Sequence, residues 1–207
     1  MSAPAVAVLD YGIGNLRSAE KALQHVGADA RLTADEADVA AADAVVLPGV
    51  GSFGPCADAL AERGLDEVAR RAVGEGVPFL GICVGMQLLF ESSDESPGAV
   101  GLGVLPGAVR RLPEGVKRPQ MQWNTLRLDR PDELFDGLGP EPWMYFVHSF
   151  AAERTGDVVA TCDYGGPVAA AARRGSVWAV QFHPEKSGRS GLDLLANFVR
   201  IAGGGRP

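Results

Sequence analysis

The sequence predicts an α/β fold, with a mostly parallel central sheet flanked by helices and additional antiparallel strands in the C-terminal half. Three observations predict it. Short apolar runs at residues 5–9, 44–47 and 77–82 alternate with segments of helical periodicity, the pattern of strands buried on both faces. After Pro97 that periodicity gives way to short strand-like segments separated by Gly, Pro and Asp, as in hairpins and meanders. Between the two halves, "GICVG" at residues 81–85 joins an apolar run directly to a helical pattern.

The elements follow in order. Residues 5–9 (AVAVL) are a buried strand. Leu16, Ala19, Leu23 and Val26 recur at helical spacing, and Gly27 is placed to end that helix. Residues 44–47 form a second strand, and 57–72 a helix with a break at Gly64. Residues 77–82 form a third strand and 84–91 a third helix. Segments 109–112, 123–128, 145–150, 158–162, 168–172 and 177–182 read as strands. A last helix, 192–201, carries Leu192, Leu195 and Val199 on one face. No repeat, low-complexity tract or linker divides the chain, so residues 1–207 read as one domain with a substantial core.

Composition excludes several classes. The net charge is −7 and no Lys/Arg run occurs, which argues against nucleic acid and against an anionic membrane surface. The N-terminus lacks a basic segment followed by a long apolar one, and no apolar stretch approaches a membrane span. The three cysteines, Cys56, Cys83 and Cys162, are too few and odd in number for a disulfide framework. None has the CxxC spacing of a structural zinc site. These features place the expected site of action in a reducing cytoplasm.

In a strand–turn–helix of the form G-x-nucleophile-x-G, the central residue sits on a strained turn above the sheet edge. Cys83 holds that place between Gly81 and Gly85. The helix that follows favours thiolate, the nucleophilic form, and the Val84 N–H points into the same space. Cys56 and Cys162 read as small buried hydrophobes.

A thiol nucleophile needs a base, and the base an orienting partner. Of three histidines, His25 sits near the end of the first helix and reads as a surface residue. His148, inside "YFVHSF", reads as a hydrogen-bonded core residue. His183 lies in "QFHPEKSG", where Pro184 favours an extended backbone. In an extended segment Glu185 faces the same way and can hold the imidazole. Taken alone, His-Pro-Glu fits an ordinary loop equally well. The glycine-rich "PGVGSFG" at residues 48–54 is either a plain strand-to-helix loop or half of an oxyanion hole. In the second case an N–H near Val50 or Gly51 joins that of Val84. "YGIGN" at residues 11–15 is not a dinucleotide fingerprint, because it lacks the third glycine.

Together "PGVGSFG", "GICVGMQLLFE" and "QFHPEKSG", in this order, resemble the class I (triad) glutamine amidotransferases. The likeness runs over residues 6–201. "LDYGIGNLRS", "MQWN" and "YFVHSF" make it most similar to the branch of glutaminase subunits that serve histidine biosynthesis. The resemblance implies a flavodoxin-like sheet and no cofactor or metal. It implies Cys83 as nucleophile on L-glutamine, His183 as proton shuttle and Glu185 as its orienting acid. Val84, Val50 and Gly51 would supply the oxyanion hole; Gln87, Glu95, Ser149 and Phe150 would bind the substrate. The implied partner is a separate cyclase subunit of (β/α)8-barrel fold, HisF-type, forming a heterodimer. It would use the ammonia to make imidazole glycerol phosphate and an aminoimidazole carboxamide ribotide. Asn15, Trp123, Asn124 and Lys186 match positions at or near that interface. Three residues depart from the branch: Gln120 stands for histidine, Gln122 for glycine, and Phe150 where tyrosine is frequent. Rival readings are the glutaminase of another synthase, a stand-alone cysteine hydrolase, and a binding protein that has lost the chemistry.

Overall fold

The computed structural model describes residues 3–204. The first half runs β1 (Ala5–Leu9), α1 (Leu16–His25), β2 (Asp29–Thr33), α2 (Glu36–Ala41) and β3 (Ala44–Gly49). It continues with α3 (Phe53–Glu62), α4 (Leu65–Gly74), β4 (Phe79–Cys83) and α5 (Val84–Leu88). Then come β5 (Ser92–Ser93), β6 (Ala108–Arg111), β7 (Gln120–Thr125), β8 (Arg127–Leu128) and β9 (Trp143–His148). The chain closes with β10 (Phe150–Ala152), β11 (Val158–Asp163), β12 (Pro167–Arg174), β13 (Val177–Val180) and α6 (Gly188–Gly203).

The main sheet has eight strands in the order β2-β1-β3-β4-β13-β12-β11-β8. The stretch from β2 to β13 is parallel, and the remainder is antiparallel. The change of texture after Pro97 therefore marks real antiparallel pairing, with β13 returning to extend the parallel part. Strands β3, β4 and β13 are buried throughout. They read as apolar runs because helices cover both sheet faces. The register of β3 on β4 ends at Gly49↔Cys83, which sets the glycine-rich segment beside the strand-to-helix corner. A second sheet, β10-β6-β5, and a ribbon, β7-β9, lie outside the main one.

Several elements differ from the sequence reading. β2 and α2 carry no apolar run, since β2 is an edge strand with exposed positions. α2 is six residues long and is started by Asp35, whose side chain accepts from the N–H groups of Ala37 and Asp38. The helix expected at 57–72 is two helices, and Gly64 separates them with φ of 67°. The helix expected to reach Glu91 ends at Leu88. The strand expected at 145–150 divides at Ser149, because β9 pairs with β7 while β10 pairs with β6. Among the described residues no helix is long and apolar enough to cross a membrane.

Candidate active site

Cys83 has φ of 56° and ψ of −112°, and it is the one non-glycine residue with positive φ among the described residues. Such strain costs about 1–3 kcal/mol and persists only where the surroundings enforce it. Here they do. A Cβ on Gly81 would sit 2.8 Å from the Gly85 carbonyl oxygen and from Leu89 Cδ1. A Cβ on Gly85 would collide with the Leu47 carbonyl oxygen. The two glycines let α5 press onto β3 and β4, and that contact fixes the turn at Cys83.

His183 follows β13 with extended torsions, φ −100° and ψ 97°. Its N–H donates to the Tyr145 carbonyl at 3.0 Å. Its own carbonyl accepts from Ser187 Oγ at 2.6 Å, and that hydroxyl accepts in turn from Tyr145 N–H at 2.9 Å. The backbone of His183 is thereby tied to β9. His183 Nδ1 lies 2.8 Å from Glu185 Oε1. This contact was expected from an extended segment, yet Glu185 sits in a 3-10 turn, Pro184–Lys186, that folds it back. With Nδ1 so engaged, Nε2 is the ring nitrogen left for Cys83, which lines the same cavity. Burial pulls the His183 pKa down, but the hydrogen bonds and charges of Cys83 and Glu185 outweigh it and push it up to about 9. The direction of this shift favours the cationic imidazole, the counter-ion that a thiolate requires.

These side chains open onto a cavity of about 410 Å³, large enough for a small amino-acid substrate. Val50, Gly51, Val84, Gln87 and Glu95 line it with Cys83 and His183. So do Asn15, Ser149, Phe150 and Lys186. Glu185 stands behind His183 and does not line it. Trp123 and Asn124 lie outside, on the β7-β9 ribbon. Trp123, 48% exposed, meets Tyr145 edge-on, and Met121 and Trp143 beside them are 63% and 56% exposed. Strand alternation places Met121, Trp123, Trp143 and Tyr145 on one apolar face. Asn124 faces the other way, donating to the Asp163 carbonyl at 2.9 Å.

Residues 7–202 match the family model described as glutamine amidotransferase class-I. The chain belongs to that family. It is 51% identical over 204 residues to the imidazole glycerol phosphate synthase subunit HisH of Synechococcus elongatus, covering 96% of this chain and 94% of that one. It is 49% identical over 197 residues to the HisH subunit of Methanothermobacter thermautotrophicus, covering 95% and 98%. This places the amidotransferase among the HisH subunits. A crystal structure described as glutamine amidotransferase superposes with TM-score 0.76 at 26% identity, covering 96% and 98%.

Behind the amidotransferase cavity lies a buried group, Gln181, that the sequence did not single out. Gln87 Nε2 donates to the Phe150 carbonyl and to Gln181 Oε1, both at 3.0 Å. Gln181 Nε2 lies 3.8 Å from Cys83 Sγ. Gln181 sits inside the quoted "QFHPE"; a polar residue at the end of an apolar strand is the signal that was available. Glu95 Oε2 accepts from the Phe53 N–H at 2.8 Å, so it starts α3 as well as lining the cavity. Of the departures, Gln120 is buried, with Nε2 3.9 Å from Cys162 Sγ and Oε1 unpartnered, while Gln122 is exposed on the ribbon. Phe150 contributes its carbonyl, which a tyrosine-to-phenylalanine change leaves in place.

His148 is the hydrogen-bonded histidine that its strand suggested, with Nδ1 2.9 Å from the Phe150 carbonyl. It also lines the cavity. Burial lowers its pKa to about 4, with the His183 charge adding to this and the Phe150 carbonyl opposing it. The unfolded chain takes up this proton near pH 6.5, whereas the folded chain does so only near 4. Stability should therefore fall as the pH drops through that window, by up to about 3 kcal/mol. Urea unfolding at pH 7 and pH 5 should show a smaller loss for His148→Gln than for wild type. An equal loss would remove His148 as its cause.

Proposed function

We propose that this amidotransferase is the glutaminase subunit of an imidazole glycerol phosphate synthase, made of one domain over residues 1–207 and acting in the cytoplasm. The carrying observation is Cys83 and His183 together on the wall of a cavity that also holds Gln87 and Glu95, with Glu185 2.8 Å from His183 Nδ1. The thiolate of Cys83 attacks the side-chain amide carbon of L-glutamine. The resulting oxyanion is met by the N–H of Val84 and by one from the Val50–Gly51 segment. His183 gives its proton to the leaving nitrogen, and ammonia departs. The now neutral imidazole takes a proton from water, which attacks the thioester and releases glutamate. Glu185 fixes the imidazole and stabilises its cation. Gln87, Glu95 and the backbone at Ser149 and Phe150 hold the substrate's polar ends, which an analogue lacking them leaves unpaired.

The ammonia passes to a separate (β/α)8-barrel cyclase of the HisF type. The apolar face of Met121, Trp123 and Trp143 supports docking of such a partner, since exposed aromatic clusters mark interfaces. Asn15 and Lys186, exposed at the cavity rim, sit where a docked partner meets the site. The test is ammonia release from glutamine by the chain alone, with cyclase, and with cyclase plus its nucleotide ligand. Activity that needs no cyclase would favour a stand-alone hydrolase.

The role of Glu185 is separately testable. Glu185→Gln keeps shape and an acceptor but loses the charge that stabilises imidazolium. Its kcat should fall, yet by roughly 10–100-fold less than that of His183→Ala, because deleting a triad base costs more than altering its acid. Steady-state kinetics equal to wild type would take Glu185 out of the triad.

A further inference from the structure

Two buried side chains outside the triad hold the glycine-rich segment from behind. Tyr11, in the loop after β1, donates its hydroxyl to the Pro48 carbonyl at 2.8 Å. Cys56, in α3, directs its thiol at the Val50 carbonyl at 3.4 Å. Neither side chain lines the cavity, and both are almost fully buried. Each has a single proton, and each commits it to a carbonyl of the segment at 48–50. Burial raises the pKa of both, so both keep that proton at neutral pH.

The geometry is specific. The Pro48–Gly49 and Val50–Gly51 peptides are held through their oxygens, and both are trans. In a trans peptide the N–H points opposite to the C=O, so the Gly51 N–H is turned away from α3. Between the two held planes lies the Gly49–Val50 peptide. A Cβ on Gly49 would sit 2.8 Å from the Tyr11 hydroxyl, 2.8 Å from Gly85 N and 2.9 Å from Val84 Cβ. The Tyr11 hydroxyl thus also closes the space over Gly49, against the turn that carries Cys83.

We infer that Tyr11 and Cys56 are positioning residues that clamp the peptides on either side of Gly49–Val50 and so confine rotation to that one peptide. The clamp sets which backbone groups of residues 49–51 face the oxyanion. It rests on the proposed glutaminase chemistry and deepens it, because Tyr11 lies in the same loop as Asn15, at the cavity rim. A thiol is a weak donor, so the Val50 end is the looser of the two.

The test uses the complete complex with liganded cyclase. Tyr11→Phe and Cys56→Ala should each lower kcat by roughly 10-fold or more, the scale set by small misplacements of catalytic groups. The KM for glutamine should stay within about 3-fold, because an oxyanion donor acts on the transition state. Cys56→Ser, which retains a donor, should recover most of the loss. The γ-aldehyde analogue of glutamine supplies a readout that loosened packing does not move. Cys83 Sγ adds to the aldehyde carbon, the proton passes to the aldehyde oxygen, and that oxygen occupies the oxyanion site. Affinity for the aldehyde should fall in parallel with kcat. Unchanged kcat and unchanged aldehyde affinity in both variants, with wild type stimulated by cyclase, would overturn the clamp alone. Wild type that cyclase does not stimulate would sink the proposed cyclase-coupled glutaminase, and the clamp with it.

Discussion

Cys83→Ala should lower glutamine hydrolysis by at least about 10⁴-fold, the scale on which loss of a triad nucleophile is felt, while leaving the fold and cyclase binding in place. Alanine makes the same demand on the backbone as cysteine, so the strained torsions at position 83 are neither relieved nor worsened. Only Sγ is removed, from a buried residue that also lines the cavity. The loss is therefore chemical. The substitution also deletes the first of the contacts that raise the His183 pKa, so the imidazole should become easier to deprotonate. Ammonia release measures the chemical loss, and thermal unfolding with a cyclase-binding assay checks that the fold and the interface are kept. A glutamine-analogue electrophile such as 6-diazo-5-oxo-norleucine should label Cys83, with Cys56 and Cys162 spared, because both are buried and neither lines the cavity. Peptide mass mapping that finds the label mainly on either of those would defeat the assignment.

Liganded cyclase should raise glutaminase turnover by at least roughly 100-fold over the chain alone, which asks the partner for about 2.7 kcal/mol of transition-state stabilisation. One oxyanion donor is worth about that much, so a single reoriented peptide suffices. The glycine-rich segment has the freedom required. Gly49 adjoins the elbow with no room for a Cβ, and Gly51 has φ of 96°, where glycine is at ease. Three rates decide the matter: chain alone, with cyclase, and with cyclase plus nucleotide. Equal rates in all three would mean that no gate exists.

Much of this was legible in the chain. The apolar runs at 5–9, 44–47 and 77–82 carry strand β1, most of β3 and most of β4, because a strand buried on both faces must be apolar throughout. β2 was not legible. An edge strand keeps one side in water, so DARLT carries no continuous apolar signal. The division of 145–150 at Ser149 was also hidden, since two different partners, β7 and β6, impose it from a distance.

For the site, the sequence by itself determined the corner. Gly81 and Gly85 are local requirements of a turn that admits no Cβ, and local requirements are written locally. It also offered the pairing of His183 with Glu185, two positions apart, but through an extended segment, whereas a 3-10 turn makes the contact. The tertiary structure alone decided that Gln181 reaches Cys83, that Gln87 is held by Gln181 and Phe150, and that Tyr11 and Cys56 grip the strand at 48–50. Cys56 shows the physical reason. As a residue it reads as a small buried hydrophobe, and it is one. Its proton acquires a task only because α3 lies over the Val50 carbonyl, and no spacing along the chain records how close folding brings a helix to a strand.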